Sequence, residues 1–227
     1  MIKQALILCG GKGERLKPLT NSIPKPLVII DNEPILSHQI KYLFNKGINN
    51  FVIATGYKSE LIEDYIKKSF NNLNIKIVNS GIVDIMRRIQ DCKTYLNDEF
   101  LVCYGDTLTD IDISDLYTFH NNHKGEVTVS TYQLQSQFGI IKSNRKGLVQ
   151  EFLEKPKLDV WINIGYFIFN KSVIDIEADN FAGFIDQLAR SGYLYSFKHK
   201  GLHITVNTSK ELKEAQEKIK KLYSENN

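Results

Sequence analysis

The stretch Ala5-Leu-Ile-Leu-Cys9-Gly10-Gly11-Lys12-Gly13-Glu14-Arg15-Leu16 decides the reading of this chain. Five consecutive apolar residues read as a strand buried on both faces, the kind that parallel sheets use. The three glycines that follow make a loop in which backbone N–H groups can approach phosphate oxygens without Cβ obstruction. Arg15 offers a planar fork for phosphate, and Lys25, between Pro24 and Pro26, a movable point charge. Cations from two ends of one loop, above a first strand, suit a triphosphate. The plainer alternative is a tight turn with solvated cations. Two familiar nucleotide loops do not fit. Gly11 and Gly13 match the first two glycines of a Rossmann fingerprint, but Leu16 stands at the third. A Walker loop needs Gly-Lys-Ser/Thr, and Lys12 is followed by Gly13.

Outward from the loop, short apolar runs alternate with helical patterns. Pro34 opens a helix carrying Ile35, Leu36, Ile40, Leu43 and Phe44, and Gly47 stops it. Phe51 to Ala54 is a strand, and Ser59 is expected to cap a helix with Leu61, Ile62, Tyr65 and Ile66 inward. Ile75 to Val78 and Phe100 to Tyr104 are two more strands, so the first half predicts crossover units and a mostly parallel sheet. The second half changes character. Val127 to Leu134 alternates, residues 139–142 and 148–153 predict a hairpin across 144–147, and Tyr166 to Phe169 is a strand. Ser209 to Tyr223 predicts a helix with Leu212, Ala215, Ile219 and Leu222 on one face. The expectation is one α/β domain over residues 1–227, a Rossmann-like, mostly parallel mixed sheet flanked by helices with an antiparallel-rich second half.

Composition narrows the function. The chain has 227 residues, and 29 Lys+Arg against 26 Asp+Glu gives only +3, which argues against a nucleic-acid binder. No apolar run exceeds five residues, far short of the ~20 that span a bilayer, so no membrane partner is expected. Cys9, Cys92 and Cys103 form no paired framework, which predicts a reducing, cytoplasmic setting. Gly105-Asp106 ends an apolar strand, where open α/β sheets place their ligands, and a carboxylate there can hold Mg²⁺ against phosphate. Asp110 and Asp112 read as caps before a helix near Ser114. His120 and His123 read as a polar helix end and His199 and His203 as scattered, predicting no metal cluster.

The glycine loop with Pro24-Lys25-Pro26 resembles the signature of the sugar-phosphate nucleotidyltransferases, which join a nucleoside triphosphate to a sugar 1-phosphate and release pyrophosphate. Tyr57-Lys58, Tyr104-Gly105-Asp106 and Glu154-Lys155-Pro156 occur in that family's order. The ordering of Tyr104 to Asp112, Phe138-Gly139 and Asn163-Ile-Gly-Tyr166 most resembles glucose-1-phosphate cytidylyltransferases, which use CTP. The resemblance implies nucleotide contacts at Leu8, Gly10, Gly11, Gly13, Arg15, Lys25, Ser80, Gly81, Gly105 and Asp106. Arg15, Lys25 and Asp106 would be catalytic. Mg²⁺ would sit on Asp106 and, more weakly, on Asn207, where relatives carry an aspartate; a turn role for Asn207 is the alternative. Lys155, Gly139, Asn163 and Arg88 would hold the acceptor.

The chain departs from the family at three places. Met86 and Arg87 replace a glycine pair beside the nucleotide, where Arg87 and Arg88 read either as phosphate or carboxylate contacts or as a charged helix face. An acidic and aromatic sugar-holding segment has shrunk to residues 180–186, and a Trp-rich stretch has become Leu202-His-Ile-Thr205. With those contacts missing, the chain looks similar to the phosphoglutamine cytidylyltransferases of bacterial capsule phosphoramidate synthesis. The partners expected are CTP and a small phosphorylated metabolite, L-glutamine phosphate ahead of a hexose or heptose 1-phosphate. A homo-oligomer is compatible with the aromatics from Tyr193 to Phe197, as core or interface. The rival readings are a catalytically weak nucleotide sensor and, less fitting, a nicotinamide oxidoreductase.

Overall fold

Successive residues of the first strand go to opposite sides. In β1 (Gln4–Cys9), Ala5, Ile7 and Cys9 pack into one apolar layer and Leu6 into another, the period of two that pleating imposes. The structure is a computed structural model that describes residues 1–224. Among these residues the chain continues through β2 (Ile29–Ile30), β3 (Glu33–Pro34), α1 (Ile35–Asn45), β4 (Asn50–Thr55), α2 (Ser59–Ser69), β5 (Asn74–Asn79), α3 (Ile85–Asp91), β6 (Glu99–Tyr104), β7 (Thr107–Thr109) and α4 (Ile113–Asn121). There follow β8 (Val127–Gln135), β9 (Ile140–Ser143), β10 (Val149–Leu153), β11 (Lys157–Asn170), α5 (Phe181–Arg190), β12 (Leu194–His199), β13 (His203–Thr205) and α6 (Ser209–Ser224).

The seven-stranded sheet has the order β12-β8-β11-β6-β1-β4-β5. β5, β4, β1 and β6 are parallel, as are β12 and β8, while β11 is antiparallel to both of its neighbours. This is the expected mixed sheet, with its antiparallel content in the second half. One face is covered by α1, α2 and α4 through Leu36, Ile40, Leu43, Ile62, Ile66 and Leu116. The other is covered by α3 and α5 through Met86, Ile89, Phe181, Phe184 and Leu188. A third cluster matters most for the site. Leu16, Val28, Ile30, Leu108 and Ile204 pack against Ala215, Ile219 and Leu222 of α6, so the glycine loop and β13 share one small core. No described helix is long and apolar enough to cross a membrane.

Several local expectations change. Ser59 does not cap α2: Lys58 holds the cap position at φ 53°, and Ser59 Oγ instead lies 2.7 Å from Thr55 Oγ1 and donates to Glu63 Oε1 at 2.9 Å. The strand-to-helix turn is too tight for an extended cap residue. Asp112 does cap α4, accepting from the Ser114 and Asp115 N–H groups, but Asp110 turns away to accept from the Leu202 N–H at 2.6 Å and to meet His199 Nε2 at 2.9 Å. β11 is 14 residues long where only its apolar end was legible; its first half mixes polar and apolar residues and is exposed or half-buried. Phe44 is exposed. The three cysteines are buried free thiols, and burial pushes Cys92 up to about 12. Of the aromatics from residue 193, Tyr193 and Tyr195 are exposed, Tyr195 stacking on His123 at 4.0 Å, while Phe197 meets Phe119 at 5.5 Å.

Candidate active site

The glycine loop leaves β1 at its carboxyl end and turns at once. Gly13 has φ +63°, a conformation that a side chain would strain, and its carbonyl accepts from the Leu16 N–H at 3.0 Å and from Thr20 Oγ1 at 2.9 Å. Leu16 then plugs into the small third core. This is the physical reason the Rossmann third glycine is absent: a short 3₁₀ turn follows the loop, anchored by a leucine, in place of a long helix packed on the strand. Tyr57 braces the loop from outside, its N–H on Gly10 O at 3.3 Å and its hydroxyl on Thr20 O at 3.0 Å.

Beside the loop, Gly105 donates its N–H to Leu8 O at 3.0 Å. A Cβ here would stand 2.7 Å from Cys9 Sγ and 2.9 Å from Leu8 O, so only glycine lets the ends of β1 and β6 close up this far. Asp106 follows on the turn into β7. That turn is held from beneath by Gln39, a fully buried residue of α1 whose Nε2 donates to Tyr104 O at 3.0 Å and Thr107 O at 3.2 Å. The signal for Gln39 was in the sequence: an amide on the apolar stripe of a helix, flanked by Leu36, Ile40 and Leu43.

Four side chains distant in sequence meet here. The Lys25 ammonium bonds both Asp106 Oδ2 and, at 2.8 Å, Asn207 Oδ1. Arg15 donates to the same Asn207 oxygen at 2.7 Å. Asn207 is fixed in turn, because its Nδ2 donates to Thr205 Oγ1 at 2.8 Å and its N–H to Glu211 Oε2 at 2.6 Å. Glu211 also accepts from the Thr208 N–H, while its own N–H reaches Thr208 Oγ1, a capping box that opens α6. Asn207 is therefore positioned by a helix start and aimed at the cations.

These groups line a cleft of about 740 Å³ across the carboxyl ends of the central strands. Three cations (Arg15, Lys25, Arg88) and two carboxylates (Glu14, Asp106) border it. Such an excess suits a polyanion. The donor set also fits a divalent cation. Asp106 and Asn207 turn hard oxygens from two separate elements toward one ammonium, and Mg²⁺ needs only one or two protein oxygens when phosphates supply others. Among the described residues no group of three or more His, Cys, Asp or Glu side chains forms a closed cage.

The other sequence-predicted residues divide. Leu8, Gly10, Gly11, Gly13, Gly105 and Asn163 line the cleft. Asn163 accepts from the Gly165 N–H at 2.7 Å, and burial raises the Tyr104 hydroxyl against an opposing hydrogen bond from Asn163. Ser80 and Gly81 stand just behind, the Gly81 carbonyl accepting from Arg88 at 2.9 Å. Arg88 itself lines the cleft on the nucleotide-loop side, and its fork is bound to the carbonyls of Thr55, Gly81 and Val83. Desolvation lowers its pKa. Its neighbour Arg87 is exposed and pairs with Asp91 at 2.9 Å. Lys155 and Gly139 are not among the cleft's lining residues: Lys155 projects into solvent near Glu154, and Gly139 packs against Phe152 of the β9–β10 hairpin.

Sequence reasoning missed His203. It lines the cleft, and His199 is its neighbour: Tyr132 lies 5.3 Å from the His203 ring and 6.2 Å from the His199 ring. The pair is not scattered, as their separate positions in the sequence suggested.

Comparison with known proteins agrees with this geometry. The nucleotidyl transferase family model matches residues 4–190. A Bacillus subtilis protein, a probable glucose-1-phosphate cytidylyltransferase, is 34% identical over 239 residues, covering 93% of this chain and 94% of its own. The catalytic subunit beta of mannose-1-phosphate guanylyltransferase from Xenopus tropicalis is 32% identical over 227 residues, covering 92% of this chain but only 62% of that subunit. Among solved structures, HddC from Yersinia pseudotuberculosis superposes with a TM-score of 0.76 at 25% identity, over 96% of this chain and all (100%) of that one.

Proposed function

The chain belongs to the nucleotidyl transferase family, and from that premise we propose that it is a Mg²⁺-dependent cytidylyltransferase, which moves CMP from CTP to a small phosphorylated acceptor and releases pyrophosphate. The observation that carries this is the convergence of Arg15, Lys25, Asp106 and Asn207 beside the glycine loop. A terminal phosphoryl group with a second pKa near ~6 is largely dianionic at neutral pH, so no side-chain nucleophile is needed. The acceptor oxygen attacks the α-phosphorus in line as the bond to pyrophosphate breaks. Arg15 and Lys25 neutralise the charge that builds on the departing phosphates, and the loop amides hold them in line. Mg²⁺ on Asp106 and Asn207 would supply further neutralisation across the same phosphates.

CTP is favoured by the cytidylyltransferase relative; the guanylyltransferase relative makes GTP the competitor to test. We favour L-glutamine phosphate as acceptor over a hexose or heptose 1-phosphate. Residues 180–186, shortened in this chain, begin α5 and bury Phe181 and Phe184 in the core. On the β11 side the cleft offers the neutral groups of Asn163, Thr107, Thr205 and His203, without indole or carboxylate for a sugar's hydroxyls. The sugar 1-phosphate reading keeps the support of the relatives' names. A cytoplasmic enzyme of one domain, with Lys155 and Gly139, which flank the β9–β10 hairpin, as further acceptor contacts, completes the proposal. The test is a matrix of four nucleoside triphosphates against L-glutamine phosphate, sugar 1-phosphates and phosphocholine, read as pyrophosphate release. Turnover confined to CTP with L-glutamine phosphate is expected. Turnover with sugar 1-phosphates alone transfers the assignment to the second reading, and nucleotide binding with no turnover leaves a sensor.

A further inference from the structure

β13 runs along the wall of the cleft as a ruler of side chains. It pairs antiparallel with β7, His203 opposite Thr109, Ile204 opposite Leu108 and Thr205 opposite Thr107. Ile204 is buried in the third core, so pleating turns His203 and Thr205 the other way, and both line the cleft. Thr205 bonds Asn207, which sits with the cations at the phosphate end. His203 lies one further step back, about 7 Å from Thr205 at the ~3.3–3.4 Å rise of a strand. The Tyr132 ring beside it sits on β8 opposite Ile162 of β11, and Ile162, Asn163 and Ile164 line the same cleft. Its spacing from Asn207 suits the body of the acceptor.

The ring is built in from behind and left open in front. Tyr132 packs against it at 5.3 Å. No hydrogen bond from another described residue reaches its ring nitrogens, although the other polar side chains of β7 and β13 are bonded inside the protein: Thr107 to Asp106, Thr109 to Leu202 O and Thr205 to Asn207. Burial, then His199 and Lys218, hold its pKa at about 4, with Asp106 acting in the opposite sense. The imidazole is accordingly neutral in use, one N–H donor and one lone pair.

Resting on the cytidylyltransferase reading above, we propose that His203 is a specificity-determining residue that binds a polar group, a hydroxyl or an amino acid's carboxylate, on the acceptor's non-phosphate end. A neutral imidazole can donate its N–H to a carboxylate or hydroxyl oxygen and accept a hydrogen bond at its other nitrogen. A bare phosphate cannot reach them while its oxygens remain at Lys25.

The test compares full acceptors with a truncated one. Steady-state kinetics are measured with CTP and L-glutamine phosphate, glucose 1-phosphate or methyl phosphate, for wild type, His203→Ala and His203→Gln. Loss of one buried hydrogen bond predicts a KM for the full acceptor raised roughly 3- to 10-fold in His203→Ala. Turnover number, CTP affinity and the KM for methyl phosphate should stay within twofold, and His203→Gln should restore most of the loss. Equal effects on the full and truncated acceptors, or no effect on either, overturn the inference. Calorimetric binding of each acceptor to the CTP-loaded protein separates the two levels of the claim. Wild-type binding that His203→Ala weakens upholds this residue's role even where turnover fails and the reaction assignment falls. Absence of binding by any of the acceptors overturns both.

Discussion

Replacing Lys25 by Met removes the ammonium and keeps most of the side chain that packs below Gly13. In the folded chain that ammonium bridges Asp106 Oδ2 and Asn207 Oδ1 with only 11% of its side chain exposed. Such a charge acts in a largely water-excluded setting, where loss of one preorganised electrostatic group costs about 10²- to 10³-fold in kcat, or ~2.7–4 kcal/mol. Stability should fall much less. Asp106 retains 28% exposure, so water replaces part of what the ammonium gave, and a loss of about 1–2 kcal/mol is expected. At ~2–4 °C per kcal/mol for a chain of this size, Tm drops by roughly 2–8 °C, leaving the variant folded at 25 °C. A third consequence separates this account from simple damage. The ammonium and Mg²⁺ compete for the same two oxygens in the nucleotide-free protein, so Lys25→Met should bind Mg²⁺ alone at least as tightly as wild type while losing turnover. The assays are pyrophosphate release at saturating CTP, a thermal scan and calorimetry with Mg²⁺. A kcat within threefold of wild type, in a protein that melts normally, would refute the reasoning.

Three further perturbations follow from the same geometry. Asn207→Asp places a carboxylate between Arg15 and Lys25 without changing side-chain size, so the Mg²⁺ concentration for half-maximal rate should fall several-fold at unchanged or higher kcat; a rise in that concentration would contradict the ligand role. Gln39→Leu strips the Tyr104 carbonyl of its buried side-chain donor and leaves Thr107 O only the Tyr166 hydroxyl, at about 1–3 kcal/mol in denaturant unfolding, and the loosened Asp106 turn should lower kcat as well. His203 holds its proton less readily in the folded chain, at about 4 against the ordinary 6.5, chiefly through burial. The unfolded chain therefore binds more protons between those values. Stability falls on acidification through pH 6.5 to 4 by up to about 1.4 kcal/mol per unit and levels off below. His203→Gln should flatten that slope in unfolding titrations, with His123, also held low by burial, keeping part of it.

The difference between what could and could not be read in advance follows from how each half of the cleft is built. The phosphate end is local chemistry. Gly10 to Arg15 and Pro24 to Pro26 are contiguous, their backbone demands are printed as glycine and proline, and the strand before them is an unbroken apolar run, so loop, charges and parallel sheet were all legible. Even Asp106 announced itself by ending a strand. The capping box at Thr208 and Glu211 was equally local, and it is what aims Asn207; but that Asn207 meets Arg15 across 192 residues is a matter of sheet order and of one small core shared by α6 and the loop. The end proposed for the acceptor is register chemistry. His203 faces the cleft because Ile204 must be buried and β13 pairs with β7 at that offset; a slip of one residue would exchange them. Nothing in Leu202-His-Ile-Thr205 alone specifies that pairing. Arg88 shows the same dependence from the other side. The sequence could not say whether its guanidinium was free for an acceptor, and the fold turns it toward three carbonyls beneath the nucleotide loop. A family fixes its phosphate chemistry in a motif. The residues proposed to meet the acceptor have positions that only the assembled sheet determines, so the reaction class of this chain was legible and its acceptor was not.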